Sequence, residues 1–391
     1  MSVKSTRVDF GFAIAVTALL LVGMVMVFSA SSMVAVDKYH SLTYFFRKQM
    51  MWGALAFALM LIVSRFDYRR LDHKYIASIG VLLSILLLFG LFILGVKVNG
   101  ARRWYNLGIM NFQPSELAKL TLIIYVAHYL SSPRRNLRDL RKGVLPLMTV
   151  ILLVLLPVLL QPDLSTTLMM ALIIGSMLFV SRIRIAHIAA TMLPLIPFAL
   201  FLMRRQTYQQ GRISGWMRAL HDPLSAPYQI KQSLIGLGRG GLIGQGLAQS
   251  KQKFIFLPDS HTDFIFSILG EEWGWIGTTI ILSLFVFLLY RGLKIAHRAP
   301  DGFGKYLALG ITFNIIYYAF VNAAVVSMLL PATGLPMPFI SYGGSHLVFL
   351  GFSVGLLLNI SRTRTAAGLK ANWEDFKQKR ERLYRTVLSI D

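Results

Sequence analysis

Apolar runs of close to twenty residues recur along nearly the whole chain, and no other feature restricts its fold so strongly. A run of that length, coiled as an α-helix, matches the hydrocarbon thickness of a bilayer. In lipid, only helices and closed barrels satisfy their own backbone polar groups. Ten runs are read, at about 10–33, 50–64, 75–95, 115–131, 144–161, 164–181, 185–203, 263–290, 306–330 and 340–360. Composition agrees, since 55% of residues are hydrophobic and only 15% charged. The expectation is an all-α polytopic membrane protein, one domain over 1–391, with about ten transmembrane helices. A large extracytoplasmic loop, 204–262, separates helices seven and eight, and a basic tail, 361–391, ends the chain. No small-residue cleavage site follows the first run, which therefore reads as a retained span and not a signal peptide.

Orientation follows from lysine and arginine in the connections. Of 40 such residues, 25 lie in 1–9, 65–74, 132–143, 182–184, 291–305 and 361–391. The positive-inside rule then places both termini in the cytoplasm and residue 263 outward. The formal charge of +23 is mostly this basic belt meeting anionic membrane lipids, and no nucleic-acid partner is expected. The absence of cysteine excludes disulfides and thiolate chemistry. Gly236, Gly238 and Gly241 match G-x-G-x-x-G, but no strand–helix unit surrounds them, so a nucleotide reading is rejected. No P-loop, H-E-x-x-H or G-x-S-x-G motif occurs.

Acidic chemistry concentrates between Leu257 and Gly277. Asp263 stands where the long loop gives way to an apolar run, and Glu271 and Glu272 follow about two turns deeper. Ionisable groups at such depth are costly and point to a function; the plainer alternative is that Thr262 or Asp263 caps a helix. A second outward stretch holds Arg102 and Arg103 beside Trp104 and Tyr105, a cluster able to hold a diphosphate headgroup or merely to anchor helix ends. Glu116 and Lys119 share a helical face and can neutralise each other inside the membrane. Asp163, in the tight turn Gln161–Asp163, can cap the sixth helix. The long loop adds Arg212, Lys251 and Lys253 and is too long for a mere connection, which favours a functional or partly helical lid. Three prolines and three glycines between Leu330 and Ser345 point to a rigid re-entrant turn lining protein or a cavity.

Together these stretches resemble the SEDS family of cell-wall proteins (FtsW, RodA, SpoVE) over nearly the whole chain. The resemblance rests on Gly100–Trp104, Gln113–Glu116, Gln161–Leu164, His261–Phe266 with Gly270–Glu272, and Phe339–Ser345, all in order. Gly238–Gly241 followed by Gln249–Lys253 looks more like the division branch than the elongation branch. Ser165, His346 and Ser327–Leu329 depart from the family pattern and put local packing in question. Membership implies a peptidoglycan glycosyltransferase that polymerises lipid II on the outer face of the bacterial cytoplasmic membrane. It implies Asp263 as the catalytic base, with Arg102, Arg103, Glu116, Lys119, Arg212, Lys251, Lys253, His261, Thr262, Ser341 and Tyr342 as candidate substrate contacts. It also implies a class B penicillin-binding transpeptidase as partner, among other divisome proteins. No cofactor and no metal-ligand motif is marked, although a divalent cation is compatible with diphosphate chemistry. The rival reading is a transporter that flips the same lipid, because intramembrane charges and proline–glycine breaks are also what transporters show.

Overall fold

The computed structural model describes residues 8–362, except 99–100, 109–110, 134–135, 182, 194–206, 223–224, 255 and 259. Its helices are α1 (Phe10–Tyr39), α2 (Tyr44–Val63), α3 (Lys74–Leu94), α4 (Pro114–Ser131), α5 (Leu145–Leu160), α6 (Leu164–Phe179), α7 (Ile185–Met192), α8 (Thr207–His221), α9 (Tyr228–Gly240), α10 (Ile265–His297) and α11 (Gly302–Val326), followed by α12 (Gly344–Arg362). Among the described residues, seven segments are long and apolar enough to cross a membrane: α1, α2, α3, Leu140–Leu160 containing α5, α10, α11 and α12. Shorter α6 is apolar too, and α4 carries buried Glu116 and Lys119 within its 18 residues. The seventh expected span is described only from Ile185 to Leu193; its remainder and the tail from 363 lie outside the described residues. The chain is a multi-pass membrane protein.

Several helix boundaries differ from the sequence reading, α1 ending at Tyr39 and α10 at His297 among them. Helix α2 starts at Tyr44, six residues before the apolar run, because Arg47 and Lys48 interrupt the run without interrupting the helix; long basic side chains extend toward the polar edge. Helix α12 starts at Gly344 and not at 340, leaving 327–343 irregular where the sequence reading expected a re-entrant turn over 330–345. The all-α expectation holds, with one small strand element added to it. Strands β1 (Val96–Val98), β2 (Ala101–Asn106) and β3 (Asn111–Phe112) form a small antiparallel sheet in the order β1-β2-β3. Val96 opposes Trp104 and Tyr105 opposes Phe112, aromatic and β-branched pairings that suit a pleated surface. Two of these strands, of three and two residues, are too short to announce themselves by alternation.

The centre of the bundle is α11 and α12, of whose apolar windows 72% and 78% is buried, against 28% for peripheral α3. The long loop is partly helical, through α8 and α9. It is tied to α10 where that helix breaks, at Gly274 (φ 67°). In a continuous helix the amides of Trp275 and Ile276 would bond the carbonyls of Glu271 and Glu272. Here those amides donate to Gly241 O (2.9 Å) and Leu242 O (3.1 Å), while the two carbonyls accept from Gln245 N and Gly246 N at 3.0 Å each. Loop backbone thus replaces helix backbone bond for bond, which membrane depth requires. The exchange needs glycine: a Cβ on Gly274 would lie 2.4 Å from Gly244 N, and one on Gly244 2.1 Å from Glu272 O. The glycine-dense run, already rejected as a nucleotide loop, is a docking segment for the broken helix.

Candidate active site

Asp263 is held from two sides by backbone contacts. One side-chain amide, that of Asn322 on α11, donates to both Asp263 O and Leu335 O at 2.7 Å. The Ser341 hydroxyl donates to Thr262 O (2.6 Å) and accepts from Met337 N (2.8 Å), and Tyr342 N donates to His261 O (3.0 Å). The re-entrant turn and the start of α10 are therefore stitched together around the carboxylate. The N-cap position of α10 falls on Phe264, so neither Thr262 nor Asp263 occupies it. Burial pushes the Tyr342 phenol up to about 12, which keeps it a neutral hydrogen-bonding group.

Gly334 shows what the half-buried Asp263 carboxylate faces. It has φ +73°, and a Cβ built on it would lie 3.4 Å from Asp263 Oδ2 and 4.0 Å from Arg212 Nη1. Carboxylate and guanidinium border one space, which a side chain at 334 would enter. Arg212 reaches it from α8, whose Trp216 indole donates to Met328 O (2.9 Å). Ala219, Ala226 and Ile230 pack with Met328 and Ala332 beneath.

The other acidic residues are occupied structurally. Glu271, wholly buried, accepts from Ser250 Oγ (2.5 Å), Lys251 N (3.1 Å) and Gln252 N (3.2 Å), with Arg239 Nη1 at 3.5 Å. Glu272 accepts from Ser29 Oγ (2.5 Å) and pairs with Lys253 Nζ at 3.5 Å. Lys253 is itself buried and also donates to Ala248 O (2.5 Å). These two glutamates anchor the end of the loop on α10. Deeper, Glu116 and Lys119 pair at 3.0 Å with both side chains buried. His346 Nδ1 lies 3.1 Å from Glu116 Oε2, and Lys119 Nζ sits 4.0 Å from the Tyr318 ring centroid.

The structure therefore brings Asp263, Arg212, His261, Thr262, Ser341 and Tyr342 together. It places Lys253 in a buried pair with Glu272. Exposed Arg102 donates to Phe92 O; Arg103 donates to Pro162 O and lies 3.8 Å from Asp163 Oδ2, the side chain that caps α6 through Thr166 N at 3.2 Å. Lys251 is exposed, and its backbone amide is held by Glu271. Asn322 and Gly334 were not singled out in the sequence; a polar amide inside an apolar run was the available signal for the first. Among the described residues, no group of three or more His, Asp or Glu side chains is placed to hold a metal ion.

Fold and site define a multi-pass membrane protein that presents a half-buried carboxylate beside a guanidinium at one end of its helices. The family model for FtsW, RodA and SpoVE, described as a cell cycle protein, matches residues 11–366, and the chain belongs to that family. It is 42% identical over 358 residues to a probable peptidoglycan glycosyltransferase FtsW of Geobacter sulfurreducens, covering 91% of this chain and 95% of that one. It is 39% identical over 367 residues to the stage V sporulation protein E of Bacillus subtilis, covering 93% and 99%. Among solved structures, Thermus thermophilus RodA superimposes with a TM-score of 0.68 at 27% identity, over 92% of this chain and 98% of that one. A chain from a peptidoglycan synthase complex, described as coordinating polymerization and crosslinking, gives 0.72 at 27% identity over 92% and 99%.

Proposed function

We propose that this chain polymerises lipid II into glycan strands at the outer face of the cytoplasmic membrane. It is a peptidoglycan glycosyltransferase of cell-wall synthesis, in keeping with the relatives named for that activity and the synthase complex it resembles. The observation that carries the mechanism is the shared space between Asp263 Oδ2 and Arg212 Nη1 at Gly334. Asp263 takes the proton from the acceptor sugar hydroxyl as its oxygen bonds the anomeric carbon of the donor. The bond from that carbon to the lipid diphosphate breaks, the electron pair leaves with the diphosphate, and Arg212 neutralises the charge that develops there. Lys251, exposed at the end of the long loop, is a further cation that the diphosphate can meet. A divalent ion would enter with the diphosphate itself. One displacement inverts the anomeric centre.

The finer assignments rest on the same reading. Both termini are cytoplasmic, the partner is a class B penicillin-binding transpeptidase, and the role is in division. Against a transporter stands the state of the deep charges. Glu116–Lys119, Glu271 and Glu272–Lys253 are buried and each carboxylate has a cationic or hydrogen-bonding partner, so among the described residues these charges are engaged within the protein and are not arrayed for a passing headgroup. The test is polymerisation of lipid II by the reconstituted protein with and without that transpeptidase. Polymer that depends on Asp263, with headgroup crossing no faster than in empty liposomes, supports the reading. Rapid crossing without polymer overturns it.

A further inference from the structure

The aromatic side chains at the junction of α1 and α2 have no part in the mechanism above. Tyr39 and Tyr44 stack at 3.7 Å between centroids and 9° between planes. Both meet Phe45 edge-on, at 5.6 and 5.3 Å. Phe45 in turn lies 4.6 Å from the His261 ring and 5.2 Å from that of Tyr342. An unbroken aromatic track thus runs from an exposed end to a residue two positions before Asp263. Two residues reach about 7 Å at most, so the track ends within one or two sugar rings of the base.

Interfacial anchoring explains a lone tyrosine at a membrane edge, but not a track that runs inward to a carboxylate. The polar groups along it also mark it off from a lipid-facing belt. Lys48 Nζ donates to Tyr44 Oη at 2.8 Å, and Asp37, Lys38 and His40 stand exposed around the outer end. At the inner end Gln49 is 1% exposed; its amide nitrogen reaches Ser341 O at 3.3 Å, while its Oε1 is buried without a hydrogen-bond partner among the described residues. Ring faces rimmed by charged and amide groups fit a ligand with apolar C–H faces and many hydroxyls, which is what a pyranose is. Tyr39, 46% exposed, offers the accessible ring.

We propose that Tyr39, Tyr44 and Phe45 form a glycan subsite that holds the non-reacting sugars of the strand while its reacting sugar sits at Asp263. The proposal rests on the polymerase reading for its biological meaning, and its test has an arm independent of that reading. The probe is a tetrasaccharide of alternating N-acetylglucosamine and N-acetylmuramic acid, added to the full-length protein in nanodiscs without any lipid donor. Saturation-transfer NMR should show contact to the sugar ring protons. Tyr39→Ala should weaken binding about tenfold, the scale of one lost ring-face contact, and Tyr39→Phe should stay within about twofold of wild type because the face is kept. Tyr75→Ala, which removes a 68% exposed ring at the start of α3, should change nothing. In the polymerisation assay, Tyr39→Ala should yield strands several-fold shorter than wild type or Tyr39→Phe. Absence of tetrasaccharide binding to the wild type, or equal binding by Tyr39→Ala, overturns the subsite. If the wild type makes no polymer, the enzymatic reading fails, and the binding arm still decides whether this surface takes a glycan.

Discussion

Asp263 and the Glu271–Glu272 pair lie eight and nine residues apart on one stretch of chain, and the sequence marks all three as acidic groups at a depth where such groups are costly. Their surroundings separate them. Glu271 is sealed, with a hydroxyl, two backbone amides and a guanidinium around it; Glu272 is sealed by a hydroxyl and an ammonium. Asp263 is half-buried, and its Oδ2 and Arg212 Nη1 both lie within 4.0 Å of the place a Cβ on Gly334 would take. A carboxylate whose partners are backbone and neighbouring side chains stabilises the fold. One that lies with a guanidinium around the same glycine of the re-entrant turn, half-buried and not sealed, is placed to meet a substrate group. Burial alone would have ranked them the other way, since the most buried are the least available.

The most severe test of this contrast is Asp263→Asn. The change keeps volume and backbone contacts, because Asn322 binds the carbonyl of residue 263 and not its side chain. Polymerisation should fall on the order of a thousandfold, the range of a lost general base, while the thermal midpoint in detergent stays within about 1 °C of wild type. Wild-type synthesis by the folded variant would remove Asp263 from the chemistry.

Next in size is the buried pair on α4. Glu116→Gln leaves the Lys119 ammonium buried against the Tyr318 ring and should destabilise by about 3 kcal/mol or more. Lys119→Met should cost less, since His346 remains 3.1 Å from the Glu116 carboxylate as a hydrogen-bonding neighbour. The double variant should lie above the Glu116→Gln single, because no charge is then stranded. Strictly additive losses in thermal unfolding would show that the two groups do not act as a pair.

Glu271→Gln probes the sealed side of the comparison directly. The amide keeps one acceptor but turns an N–H₂ toward donors and loses the attraction of Arg239. A loss of about 2 kcal/mol in stability is expected, with faster hydrogen exchange at the amides of Lys251 and Gln252 that now lack a charged acceptor. A variant that kept its stability and lost only activity would place Glu271 with Asp263 after all.

How much of this was legible beforehand depended on whether a residue's partner is near it in the chain. The membrane class, most spans, the re-entrant turn and the acidic stretch followed from local pattern. Asp263 with Ser341 and Tyr342 followed from motifs resembling a known family. What stayed hidden required pairings across the chain. Lys253 and Arg103 read as candidate substrate contacts because nothing in the sequence marks Glu272 and the Gln161–Asp163 turn as their partners. Arg47 and Lys48 concealed the first turn of α2, since a hydropathy window registers charge without seeing that the side chains reach the membrane edge. Gly244 and Gly274 could be counted but not paired; only the broken helix shows why both must be glycine. Asn322 looked like one polar residue in an apolar run until its two carbonyl partners were visible.

The smallest effect, Arg212→Lys, sharpens the contrast most. If Arg212 belongs with Arg239 and Lys253 as a neutralising partner, a lysine can keep much of the attraction and any loss will appear as lowered thermal stability. If it serves the leaving diphosphate, the planar guanidinium matters in itself, because its two parallel N–H donors fit phosphate oxygens that an ammonium meets only as a point charge. The expected result is a fall in kcat of about tenfold, equal to about 1.4 kcal/mol of transition-state stabilisation, with KM for lipid II and the melting temperature little changed. A constant KM with a lower kcat is what an interaction made mainly in the transition state produces. Unchanged kcat with a lower melting temperature would move Arg212 to the structural side and leave Lys251 as the cation to test next.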